Sequence, residues 1–121
     1  MALNTYADVQ SFITSVLTTN NEIGGIPFSP HKAFWSTLSY NDFINGNVPG
    51  VTDPNTGAQL PILVRGDSSK SNIILALKGA VGSLFDPNTG AIGQMPSNGP
   101  PMFSDAQIGL IADWIDRGCP P

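Results

Sequence analysis

One hexapeptide, Asp-Pro-Asn-Thr-Gly-Ala, occurs twice, at residues 53–58 and again at 86–91. Asp-Pro opens a type I turn and the glycine closes it with a positive φ, so each copy predicts a tight turn or a small hairpin loop. Two such breaks in the middle of a 121-residue chain push the longer helices toward its ends. Each copy carries one acidic side chain, too few for calcium, which takes roughly six or more oxygen ligands. Two copies do not make a solenoid.

The helical pattern fits that constraint. Asn4 or Thr5 can cap a helix over about residues 5–18, with Asp8 in its first turn and Tyr6, Val9, Phe12, Ile13, Val16 and Leu17 at helical spacing. Near the other end, Ser104 and Gln107 form a capping box before Ile108, Ile111 and Ile115, and Gly118 stops that helix. Met102 and Phe103 would staple its start to the core. Between them, Pro30 opens a short helix holding His31, Phe34, Trp35 and Leu38, and Ser39 starts a turn with Tyr40, Phe43 and Ile44. Asp67, Ser68 and Ser69 cap a further helix carrying Ile73, Ile74 and Leu77 and ended by Gly79. The expectation is a single all-α domain over residues 1–121, with long ordered loops and two tight turns. Trp114, Trp35, Tyr6 and Phe12 are its expected aromatic core.

Composition narrows the function. Five Lys plus Arg and a net charge of −4 leave no basic stripe for phosphates or for an anionic membrane, so neither nucleic acid nor membrane is an expected partner. No apolar run approaches the roughly 18 residues of a membrane span. Met1 to Thr5 show no basic region followed by an apolar stretch, so no secretory signal is read and a cytoplasmic location is the default. The wealth of Asn, Thr, Ser, Gly and Pro would equally suit an exported protein. Cys119 is the sole cysteine, which excludes an internal disulfide and leaves only a bond between chains or a free thiol.

Three blocks then resemble a known family. Arg65-Gly66-Asp67-Ser68-Ser69 with Leu75, Ala76, Leu77 and Gly79 is one. Met95-Pro96 followed by Ser104-Asp105 and Trp114-Ile115-Asp116-Arg117-Gly118-Cys119-Pro120 is the second. His31-Lys32-Ala33-Phe34-Trp35 is the third. Together, over about residues 26–120, they are similar to cytochrome c-like domains of the planctomycete type, and the third block resembles a haemless branch of that group. The resemblance implies that His31 stands where the proximal haem ligand would be and Met95 where the distal one would be. Pro27 and Pro30 stand at the positions of the two attachment cysteines, so thioether bonds to a haem cannot form.

The expected function is therefore a non-enzymatic binding or interaction module without cofactor, contacting a protein, a small ligand or a glycan through its loops. Phe34 and Trp35 would fill the volume a porphyrin needs. One alternative is a non-covalent haem or copper electron carrier through His31 and Met95, with Met102 as a further copper ligand. Another is a small carbohydrate-binding protein, for which Asn45, Asn47, Asn55, Asn88 and Asn98 are candidates by type. A Ser-His-Asp triad could draw only on His31, with Asp42 or Asp113, and no spacing selects it.

Overall fold

A computed structural model describes residues 2–28, 31–96 and 101–121. Pro30, expected to open a helix, and Asn98, a candidate sugar contact, lie outside the described residues. Helix α1 spans Tyr6–Thr19 and α5 spans Asp105–Asp116. Both begin with reciprocal capping boxes, Thr5 with Asp8 and Ser104 with Gln107. In each box the side chain satisfies an N–H of the first turn that has no partner within the helix. Phe103, just before the cap of α5, is buried in the same core as Ile108, the staple arrangement. Gly118, at φ +91, lets the chain leave α5 while its N–H still donates to Ile115.

Between these ends lie α2 (Phe34–Thr37), α3 (Tyr40–Asn45) and α4 (Asn72–Lys78). The chain is not all-α. Strands β1 (Asn47–Thr52) and β2 (Gln59–Pro61) pair antiparallel, with Thr52 opposite Gln59 and Asn47 opposite Pro61. A bulge separates those two pairs. The first Asp-Pro-Asn-Thr-Gly copy is the loop of this hairpin, so the fold is mixed α and β. The expectation of an all-α domain failed because β1 contains Pro49 and Gly50, which read as loop. In a two-stranded ribbon both strands are edges, where proline is tolerated.

The core joins α1, α3, α4 and α5 around Trp114, Phe43, Ile111, Ile115 and Val9. Tyr6, Trp35 and Trp114 of the expected rings lie in this core, joined by Phe43. Tyr6 packs on Phe43 at 5.0 Å and stacks with Trp114 at 6.4 Å, whereas Phe12 is only half-buried. Trp35, buried in the core, also donates its indole N–H to Thr14 Oγ1 at 3.1 Å, tying α2 to α1. Cys119 is fully buried, and burial pushes its thiol pKa up, so it is an inert core side chain rather than an accessible bridge to another chain.

Candidate functional site

Phe34 lies nearly parallel to Phe43 at 6.1 Å and meets Trp35 edge-on at 5.7 Å. Both α2 rings are thereby drawn toward the core as a wall, and the volume they were expected to fill stays open. A cavity of about 410 Å³ lies beside them, partly open to solvent. Left dry and closed, a void of that size would cost on the order of 10 kcal/mol, at about 24 cal/mol per Å³. A whole domain is stable by a similar amount, so the space is no ordinary packing defect.

Segments from across the chain build the described wall. Leu17 comes from α1, Phe34 and Trp35 from α2, Val48 and Val51 from β1, and Leu60 from β2. Ile73, Ala76 and Leu77 come from α4, and Phe85, Ile92 and Met95 from the loop after it. Phe103, which staples α5, completes the wall. His31 and Asn72 are the polar side chains among the described lining residues, and no Lys, Arg, Asp or Glu is among them.

His31 sits in the turn ahead of α2 rather than on the helix, edge-on to Phe34 at 5.2 Å. Its Nδ1 lies 2.7 Å from the carbonyl oxygen of Lys32. A carbonyl only accepts, so Nδ1 is the donor of that bond. That bond needs Lys32 at φ +54, an unusual conformation for a residue with a side chain. The Lys32 ammonium donates to the carbonyl of Pro27 at 2.6 Å, which helps hold the turn.

Met95 reaches the cavity by a different route. Its N–H donates to Ala76 at 2.9 Å, and the preceding Gln94 side chain donates to Leu77 at 3.1 Å. Two carbonyls near the end of α4 thus tether the loop that carries the thioether. Gly79, at φ +58, permits this, because a Cβ there would lie 2.8 Å from the Gln94 side chain.

The other candidates lie elsewhere. Met102 is not among the residues lining the cavity, nor are Asp42 and Asp113. Asp113 pairs with Arg117 at 2.8 Å on α5, and the Asp42 N–H is capped by Ser39. Asn45, Asn55 and Asn88 are exposed, and Asn47 is bonded to Gln59 across the hairpin. Among the described residues no group of three His, Cys, Asp or Glu side chains could hold a metal ion. Sequence reasoning missed the hairpin wall, Asn72, Phe85 and Ile92. The apolar Val48, Val51 and Leu60 were its only trace, and the bulge broke their alternation.

The second turn secures its part of the wall through Asp86. This buried carboxylate accepts from the N–H groups of Gly82 and Asn88, at 2.9 Å each. The Gly82 bond first, then the Asn88 bond, holds its pKa below the usual carboxylate range. Ionised Asp86 therefore stabilises the fold above the ordinary carboxylate pKa of about 3.9, and the contribution vanishes as pH falls through its depressed folded value. We expect the melting temperature to drop on acidification below about pH 4, with a shallower drop in Asp86→Asn. Parallel curves for the two proteins between pH 5 and pH 2 would refute this role.

No family model, curated protein or solved structure matches the chain. Among the described residues no helix is long and apolar enough to cross a membrane.

Proposed function

We propose that this chain is a binding module that takes a small, largely apolar molecule into the interior cavity. The observation that carries the reading is the cavity itself: about 410 Å³, its described lining almost wholly hydrocarbon and aromatic side chains, with one imidazole and one amide among them. Ligand sites typically span about 300–1,000 Å³ and combine such a wall with a few polar groups. His31 is the sole titratable side chain among the described lining residues, a composition suited to holding a ligand rather than to acid–base exchange. The reading accords with the motif resemblance to haemless cytochrome c-like domains, itself part of this proposal.

The carbohydrate reading has less support. The Asp53 and Asp86 carboxylates accept N–H bonds from within their own turns, from Asn55 at 2.8 Å and Asn88 at 2.9 Å. They serve as local turn supports of the kind Asp commonly provides.

The test is titration with the neutral fluorophore N-phenyl-1-naphthylamine, read by its own emission and by quenching of Trp35. A bound probe at a hundred times its Kd should also stabilise the fold by about 2.7 kcal/mol. Ala76 lines the cavity from the middle of α4, where a phenylalanine side chain can be accommodated by the helix and would project into the void. Its ring takes up roughly the 150 Å³ that a benzene requires. Ala76→Phe is therefore expected to weaken the probe at least about tenfold with far-UV circular dichroism unchanged. Equal affinity in both proteins would sink the reading.

One observation favours a second reading, a non-covalently held haem: His31 and Met95, from segments far apart in sequence, line the same cavity. A histidine that donates its other ring nitrogen to a backbone carbonyl has its metal-binding nitrogen oriented, and the Nδ1 bond to Lys32 does this. Bound iron porphyrin would supply one-electron redox chemistry, with His/Met ligation favouring a high potential. Volume stands against it. The cavity is less than three times the roughly 150 Å³ that holds benzene, and a porphyrin with its substituents is far larger. A Soret band on haem titration, lost in His31→Ala, would favour this reading.

A further inference from the structure

The same wall sets a rule on charge. We infer that the ligand is an uncharged hydrophobe of two or three rings, and that a charge of either sign on the same skeleton excludes it. This rests on the binding reading above and narrows its ligand class, setting neutral ring compounds apart from fatty acids and other charged amphiphiles.

Size comes first. A cavity of roughly 150 Å³ accepts benzene, and this one, at about 410 Å³, is close to three times as large. Two or three fused or linked rings match that volume. Phe34, Trp35, Phe85 and Phe103 offer the edges and faces that aromatic ligands prefer, and the Met95 thioether is a further good neighbour for a ring.

Charge decides the class. No Lys, Arg, Asp or Glu is among the described lining residues. Residues 1, 29, 30 and 97–100, outside the described set, carry no charged side chain either. A head group left in contact with water would meet the partly exposed part of the wall, which includes Phe34, Val48, Val51, Ile73, Ile92 and Met95. No counter-charge waits there.

The cations of the chain are engaged elsewhere. Lys32 donates to the carbonyl of Pro27 at 2.6 Å, Arg65 to that of Gly118 at 2.7 Å, and Arg117 pairs with Asp113 at 2.8 Å. Lys70 interacts with the Asp67 carboxylate, and Lys78, exposed at the end of α4, is not among the lining residues. The net charge of −4 adds a long-range repulsion of anions. A carboxylate would therefore enter unpaired, and burying an unpaired ion is far more costly than burying a neutral polar group. An ammonium meets no carboxylate either, and cation–π contact with the rings returns only a small part of its desolvation cost.

Three probes on one skeleton isolate charge: 2-acetylnaphthalene, 2-naphthoate and 2-naphthylmethylammonium, titrated by calorimetry at about pH 8, where an ordinary imidazole is neutral. The wild-type protein should bind each ion at least about tenfold more weakly than the ketone, which has nearly the same shape as the carboxylate. Val51, half-buried on β1, lines the cavity, so Val51→Lys supplies the missing cation at its partly exposed wall. In that variant the naphthoate deficit should shrink at least about fivefold, the gain of a hydrogen bond to a charged group. Retained binding of the ketone reports an intact cavity. Wild-type affinity for either ion equal to that for the ketone, or a naphthoate deficit that Val51→Lys leaves untouched, would each overturn the inference. Failure of all three probes to bind wild-type protein would overturn the binding reading itself.

Discussion

Trp114→Ala is expected to destabilise the fold by about 4 kcal/mol, within the range for deleting a buried aromatic side chain. The indole is fully buried on α5, stacks with Tyr6 at 6.4 Å and packs on Phe43 at 6.3 Å. Its N–H donates to the carbonyl of Pro120 at 2.9 Å, holding the chain end against the helix. Truncation removes the ring from all three contacts at once and leaves a void beside Tyr6 and Phe43 in the core. Domains of this size are stable by about 5–15 kcal/mol, so the variant should sit near its unfolding threshold. The midpoint of urea unfolding, followed by far-UV circular dichroism, measures the effect. A loss below about 1 kcal/mol would mean that the centre of the core has been misplaced.

The effect should reach the cavity. Phe43 touches Trp114 on one side and Phe34 on the other, and Phe34 meets His31 edge-on at 5.2 Å. Core packing around α5 is thus continuous, ring by ring, with the wall that carries the imidazole.

How much of this could be read from the chain depended on how local the stabilising contacts are. Helices α1 and α5 were legible because their cap signals, Asn4 or Thr5 with Asp8 and the Ser104–Gln107 box, lie within a few residues of each start and their apolar faces repeat within one element. The α4 stop at Gly79 was legible for the same reason. The β1–β2 hairpin was not, since Pro49 and Gly50 lower its local strand signal and its pairing is held across the turn and through a bulge. The cavity was the least legible feature. His31 and Met95 stood out as motif residues, yet the space between elements is set by the direction each ring takes, and Phe34 turned out to stack on Phe43 rather than fill it. The matching turns hid a further difference, because identical hexapeptides were read as identical backbones.

Those turns support the other large prediction. Gly57 has φ +75 and open space where a Cβ would be, so Gly57→Ala should cost only the left-handed strain, about 1–2 kcal/mol. Gly90 occupies the same place in the second copy but lies outside the left-handed region. There a Cβ would come within 2.3 Å of the Leu84 carbonyl oxygen and 2.8 Å of the Asp86 nitrogen. Neither is the end of a flexible side chain. The Leu84 carbonyl also accepts from Ile92 at 2.9 Å and Gly93 at 3.1 Å, so making room for the methyl weakens two loop bonds as well. Gly90→Ala is expected to cost about 3 kcal/mol, at the upper end for overpacking. Because this loop delivers Phe85, Ile92 and Met95 to the wall, the same substitution should also weaken the naphthylamine probe by about tenfold, whereas Gly57→Ala should leave its affinity within about twofold. Chemical denaturation and probe titration of the two variants side by side decide the matter. Equal costs in both assays would mean that the second turn is as tolerant as the first and that the loop does not fix the shape of the cavity.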